Sequence, residues 1–325
     1  MINYYQVRNV EKVQFRQANW TFYILEESEN MGQLQKNPRK ERAATLSIFS
    51  NSFLVVGKIV VGVLTGSVGI ISEAIHSAID LVASGIAWWS VREAAKPPDS
   101  EHTYGHGKVE TVSAFFESLL IVLAAVWILW EAGQKIFSPS PIEGISWGLG
   151  MMGFSGMLNF VVARYLLRVG EETDSPALIA DAHHLYADVW SSLGIFTSLG
   201  LIALTGWHWI DPVVAILVGL WIFRTGLKLS RRGVDDLIDT ALPAAEEKKI
   251  REILDSDSRI YTYHHFRSRK YGAVRMVDLH IHLDRNLSLA VAHGIAHEIE
   301  GKIKESIPNL DMVIHIEPCH EEASV

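Results

Sequence analysis

The chain has 325 residues, 49% of them hydrophobic, and a formal net charge of −8, which excludes nucleic acid as its partner. A single Cys, Cys319, excludes an internal disulfide framework and CxxC-type zinc modules. With 20% charged residues beside that apolar share, charge and hydrophobicity must be segregated along the chain.

Residues 1–38 form a mixed tail in which Tyr4, Tyr5, Trp20, Phe22 and Tyr23 stand among charges. It has no cationic start leading into an apolar core, so no cleavable signal peptide is expected. Six apolar runs follow, at about 43–65, 70–92, 109–133, 145–168, 177–205 and 211–230. Each is long enough, at about 1.5 Å per residue, to cross a hydrocarbon core of about 30 Å. A Gly-containing break (Gly66, Gly69), the connection Ser138–Ile142 and the aromatic turn Gly206–Trp209 separate successive runs. The expected organisation is a tail over 1–38, six transmembrane α-helices in the lipid bilayer over 39–232, and a C-terminal domain over 233–325.

Basic residues set the orientation. Arg39, Lys40 and Arg42 precede the first run, Arg92 and Lys96 follow the second, Arg164 and Arg168 end the fourth, and Arg224, Lys228, Arg231 and Arg232 end the sixth. The intervening connections carry at most Lys135. Both termini are therefore expected in the cytoplasm.

After Arg232 the pattern is that of a folded polar domain. Pro243 with Glu246 and Glu247 opens a helix over about 243–256. Strands are expected at 259–267, 273–284 and 311–317, with an amphipathic helix at 288–306. The order α-β-β-α-β describes a small cytoplasmic α+β domain. His280 and His282 share one face of their strand, and His293 and His297 share one helix face.

The chemistry is concentrated in two of the apolar runs. The second carries Ser72-Glu-Ala-Ile-His76-Ser-Ala-Ile-Asp80, and the fifth carries Asp181-Ala-His-His184-Leu-Tyr-Ala-Asp188. In each, a His precedes an Asp by four residues, so both project from one helix face. Two such helices side by side converge two imidazoles and two carboxylates, a donor set suited to a tetrahedral divalent metal. Ionisable groups in a spanning helix mark a transport path or relay. His183 points about 100° away from His184 and is not expected to join. Asp181 is read as a helix-end acid near the bilayer surface, and Glu73 as a partner orienting the His76 ring. Glu117, Glu131 and Asp211 each require water or a partner.

Together with the loop Pro98-Asp99-Ser-Glu-His102-Thr-Tyr-Gly105-His106-Gly-Lys108-Val-Glu110 and Asp239-Thr-Ala-Leu-Pro243 after the sixth run, these stretches resemble the cation diffusion facilitator family. The resemblance covers about residues 40–320. It implies a homodimer in the cytoplasmic (inner) membrane that exports divalent metal cations, Zn2+ foremost, in exchange for protons, without enzymatic activity. It implies a transport site of His76, Asp80, His184 and Asp188 in each protomer, and a loop site of Asp99, His102 and His106. In the C-terminal, metallochaperone-like domain it implies a structural or regulatory zinc site of His264, His280, His293, His315 and Glu317. It also implies a Lys108–Asp239 salt bridge tying membrane and cytoplasmic parts together.

His76 departs from the Asp found at that position in bacterial relatives, and Glu317 from the more usual Asp. The mixed imidazole and carboxylate set favours zinc over the all-oxygen preference of manganese. Fe2+, Mn2+, Co2+ or Cd2+ as cargo, and a membrane metal sensor or partner subunit, stay open as alternatives. A metalloenzyme needs an open metal position with a base such as an HExxH pair, and no HExxH occurs. From the residues alone, His282 and His297 are read as solvent-facing, and the loop histidines as part of a solvated polar loop.

Overall fold

The computed structural model describes residues 37–65, 68–137, 145–207 and 209–319. The N-terminal tail, the break at Gly66, the connection at 138–142, His208 and His320 lie outside the described residues. Among those described, six helices are long and apolar enough to cross a membrane. They are α1 (Pro38–Thr65), α2 (Val68–Ala94), α3 (Lys108–Phe137), α4 (Ile145–Glu172), α5 (Pro176–Thr205) and α6 (Ile210–Leu237). Phe49, Phe53, Val60, Leu123, Trp127 and Leu217 stand exposed on their outer faces, as lipid contact requires.

Helix packing follows small residues. α1 packs against α2, α3 against α6, and α4 against α5. At Gly226 on α6 an added Cβ would lie 2.8 Å from Val122 Cγ2 and 3.1 Å from its backbone N. The absent side chain lets α3 and α6 approach this closely. Ser175 caps α5, accepting a hydrogen bond from Leu178 N, with Pro176 in the first turn.

The C-terminal domain runs α7 (Ala244–Ser256), β1 (Thr262–Tyr271), β2 (Val274–Leu283), α8 (Leu289–Ser306) and β3 (Leu310–Pro318). The sheet order is β1-β2-β3, with β1 antiparallel and β3 parallel to β2. The parallel pair requires a crossover, which α8 supplies. Leu279, Ile281 and Leu283 turn to one face and form a core with Ile250 and Leu254 of α7 and Ile295, Ile299 and Ile303 of α8.

β1 begins three residues later than the sequence pattern indicates and continues to Tyr271. Asp257 closes a turn before it, accepting from Arg259 N at 3.2 Å, while its own carbonyl accepts from Ile260 N at 3.0 Å. The polar run Arg267–Lys270 is held as strand by its ladder with β2, despite lacking apolar alternation. A bulge between His264 and Arg267 shifts the register, with His265 at φ 50°.

The β1–β2 turn docks against the loops of the helical bundle. Tyr271 Oη donates to Gly105 O at 2.6 Å. Gly272, at φ 59°, packs so tightly that a Cβ would sit 2.7 Å from Gly107 O. Lys108 Nζ bonds Asp239 Oδ1 at 2.7 Å, and this hydrogen bond, with Arg269, holds the Asp239 carboxyl below its ordinary range. Arg275 bridges Asp174 at 3.0 Å and Glu246 at 2.7 Å.

Candidate metal centre

The helical spacing of His76/Asp80 and His184/Asp188 places the two pairs opposite each other on α2 and α5, crosswise. His184 Nε2 lies 3.1 Å from Asp80 Oδ1, and His76 Nε2 lies 3.9 Å from Asp188 Oδ1. His76, Asp80 and Asp188 each offer one donor atom, all within 4.8 Å of one another. Asp80 and His184 are buried, whereas the His76 side chain is 53% exposed. His184 Nδ1 and Asp188 Oδ2 are buried without a hydrogen-bond partner. Unsatisfied donor atoms at such depth are costly unless something else engages them. Among the described residues one imidazole and two carboxylates thus converge, with His184 held against Asp80 beside them.

Around this set the bundle is polar. Lys58, two turns before the end of α1, donates to Glu73 Oε2 at 3.2 Å and Ser77 Oγ at 2.8 Å. Glu73, expected to orient the His76 ring, is instead paired with Lys58. Asp181 is not a surface acid at a helix end. It is 1% exposed inside the bundle and accepts from Ser84 Oγ at 3.1 Å. At the end nearest the C-terminal domain, Lys40 Nζ bonds Glu110 Oε1 at 2.9 Å, both side chains 3% exposed, and Ser175 Oγ donates to the other oxygen of Glu110. Asp211 accepts from Ser198 Oγ at 2.6 Å, and Glu131 lies 3.4 Å from Lys135.

The loop between α2 and α3 brings Asp99, His102 and His106 within 4.8 Å. Asp99 Oδ1 accepts from the backbone N–H groups of His102 at 2.7 Å and Glu101 at 2.9 Å, and these bonds hold its carboxyl below the ordinary range. Its Oδ2 lies 3.3 Å from His106 Nε2, and His106 Nδ1 is buried without a partner.

On the sheet face opposite the core, the register aligns His264, His280 and His315 across the three strands. His264, His280 and Glu317 offer donor atoms within 4.8 Å. His280 Nδ1 lies 2.8 Å from Glu317 Oε1 and holds that carboxyl below its usual range. The His315 ring stacks 4.6 Å from that of His280. His282, read as solvent-facing, joins them: its Nε2 is 3.2 Å from both His264 Nδ1 and Glu317 Oε2. His293 does not. It sits on α8, which covers the apolar face of the sheet, and its ring lies 4.4 Å from that of His297.

Residues 44–238 match the cation efflux transmembrane domain family, and residues 242–319 match the cation efflux protein cytoplasmic domain. The chain belongs to the cation efflux, or cation diffusion facilitator, family. Within it, the chain is 34% identical over 262 residues to an uncharacterized transporter, sll1263, of Synechocystis sp. (80% of this chain, 84% of the relative). It is 32% identical over 278 residues to the cation-efflux pump FieF of Salmonella newport (86% of this chain, 92% of the relative). Among solved structures, the metal-bound C-terminal domain of the CzcD transporter from Thermotoga maritima is 23% identical, with a TM-score of 0.22, covering 23% of this chain and 87% of that one.

As a member of the cation efflux family the chain is a multi-pass membrane transporter that moves divalent metal cations out, not an enzyme. Sequence reasoning missed Lys58, although a lone lysine inside the first apolar run was a visible signal. It also missed the Lys40–Glu110–Ser175 closure, whose members lie far apart in the chain and carry no shared spacing.

Proposed function

We propose that the chain exports Zn2+ from the cytoplasm in exchange for protons, as a homodimer in the cytoplasmic membrane with both termini inside. The crosswise pairing of His76/Asp188 and His184/Asp80, with buried donor atoms left over, carries this reading. Two imidazoles and two carboxylates suit a tetrahedral zinc ion. The metal needs neutral His and ionised Asp, so metal and protons compete for the same four side chains. Protons arriving from outside displace the ion, then leave inside, where metal rebinds as the helices expose the site alternately.

The loop set Asp99, His102 and His106 gathers or anchors metal near the inner surface. The cluster of His264, His280, His282, His315 and Glu317 holds a regulatory zinc whose occupancy biases the inward state. Its donors fit that ion: carboxylate and imidazole groups crowd together on an otherwise polar sheet face.

Zinc uptake into proteoliposomes under an imposed pH gradient tests the reading. Wild type is expected to accumulate Zn2+, Asp188→Ala to lose uptake at least 100-fold, and His76→Asp to admit Cd2+ or Mn2+. Wild type that binds zinc but moves none under any gradient overturns the proposal in favour of a metal sensor or partner subunit. Faster Fe2+ or Co2+ than Zn2+ uptake by wild type overturns the choice of cargo alone.

A further inference from the structure

Two carboxylates beside the transport set are used by neither its ligands nor any counter-charge. Glu117 on α3 and Asp181 on α5 are each 1% exposed. Among the described residues no Lys or Arg pairs with either. Ser113 Oγ donates to Glu117 Oε1 at 3.2 Å, and Ser84 Oγ donates to Asp181 Oδ1 at 3.1 Å. The second oxygens, Glu117 Oε2 and Asp181 Oδ2, are buried with no partner at all. α3, which carries Glu117, packs on α5, which carries Asp181.

The position is specific. Asp181 precedes His184 by three residues, about 4.5 Å along α5, and Ser84 follows Asp80 by four, about 6 Å along α2. Both steps lead toward the C-terminal domain. Glu110, in the Lys40–Glu110–Ser175 closure, lies seven residues before Glu117, about 10 Å further the same way. The pair thus occupies the interval between the transport set and the inner closure. Ser84 Oγ also accepts from Ser47 Oγ at 3.1 Å and from Asn51 Nδ2 at 2.7 Å, so hydroxyl and amide groups surround Asp181.

Packing does not account for two acids here. Burying a carboxylate without a counter-charge is costly, and Gln or Asn would fill the same space without that cost. The two carboxylates and the Ser113 and Ser84 hydroxyls bonded to them offer oxygen donors. Oxygen-only sets hold zinc less tightly than sets with imidazole. A weaker stop one turn from a tighter one lets an ion enter and still move on.

We propose that Glu117 and Asp181 form a second, inner station for divalent cations, made of oxygen donors, that takes the ion from the side of the C-terminal domain and passes it to Asp80 and His184. This rests on the reading of His76, Asp80, His184 and Asp188 as the transport site.

Mn2+, which favours oxygen donors, probes the station directly. Bound Mn2+ is counted by electron paramagnetic resonance on the full chain in nanodiscs, carrying His76→Ala and Asp188→Ala with Asp99→Ala and Glu317→Ala. One Mn2+ per chain is expected, and adding Glu117→Gln or Asp181→Asn should weaken it at least tenfold. No Mn2+ sensitive to these two substitutions overturns the proposal, whether or not the wild type transports. In otherwise wild-type proteoliposomes, Glu117→Gln is expected to raise the half-saturating Zn2+ concentration about tenfold with equilibrium zinc binding at the transport set unchanged, and Glu117→Asp to restore it. Flux within twofold of wild type at every zinc concentration, or joint loss of flux and zinc binding, overturns the proposal as well. A wild type without transport, by contrast, sinks the exporter reading alone.

Discussion

His282 stands on the same strand face as His280, one pleat further along β2, where it meets His264 and Glu317. Its removal should therefore weaken zinc binding by the C-terminal cluster about tenfold, while His297→Ala leaves it unchanged; calorimetric titration of the full chain measures both. Asp257 gives a residue-level prediction about pH. Hydrogen bonds from Arg259, with Lys302 adding to them, hold its carboxyl far below the ordinary range. A carboxyl depressed in the folded state stabilises fully above its unfolded value near ~3.9 and loses that contribution as pH falls further. Asp257→Asn should destabilise the C-terminal domain by about 2 kcal/mol at pH 7, as charge-assisted hydrogen bonds are worth. The gap should begin to narrow below about pH 4 and go on narrowing as pH falls toward the depressed folded-state value. Hydrogen exchange at β1 amides, compared across pH, reads it; a gap unchanged at low pH contradicts the assignment. Strand alternation in the sequence put His280 and His282 on one face but could not say which rings would meet, because that depends on the register with β1 and β3. The four donors on α2 and α5 were legible because a His–Asp spacing of four is a property of one helix. Asp181 was not, since its burial depends on where Ser84 of α2 lies across the bundle.

Lys40 at the start of α1, Glu110 at the start of α3 and Ser175 capping α5 fasten three helix ends in a buried site. Removing one partner strands the other charge, so Lys40→Ala should cost about 3–5 kcal/mol in thermal or denaturant unfolding. The double substitution Lys40→Met, Glu110→Gln should recover most of that loss, and a double variant no better than the single one contradicts the pairing. The six spanning helices were readable from apolar runs alone, because lipid demands the same hydrophobicity along every exposed face. The start and end of β1 were not. Its last residues are polar and are held by pairing with β2, and its start is displaced by the Asp257 turn.

Across the whole molecule, the β1–β2 hairpin seats on the loops of the bundle through Tyr271–Gly105, Arg275–Asp174 and Arg269–Asp239. The histidine face of the sheet and the helices carrying the transport set are thereby parts of one connected frame. Polar groups run along the bundle interior from the inner closure through Asp181 and Glu117 to Asp80, His184, Asp188 and His76, with Lys58 beyond. The placement of one metal ion among the four side chains of α2 and α5 can be checked by zinc X-ray absorption on the full chain, with Asp99→Ala and Glu317→Ala to empty the other clusters. A four-coordinate ion with two imidazole nitrogens and two carboxylate oxygens at about 2.0–2.2 Å is expected, lost on His184→Ala or Asp188→Ala. An oxygen-only six-coordinate shell, or a spectrum indifferent to both substitutions, contradicts it.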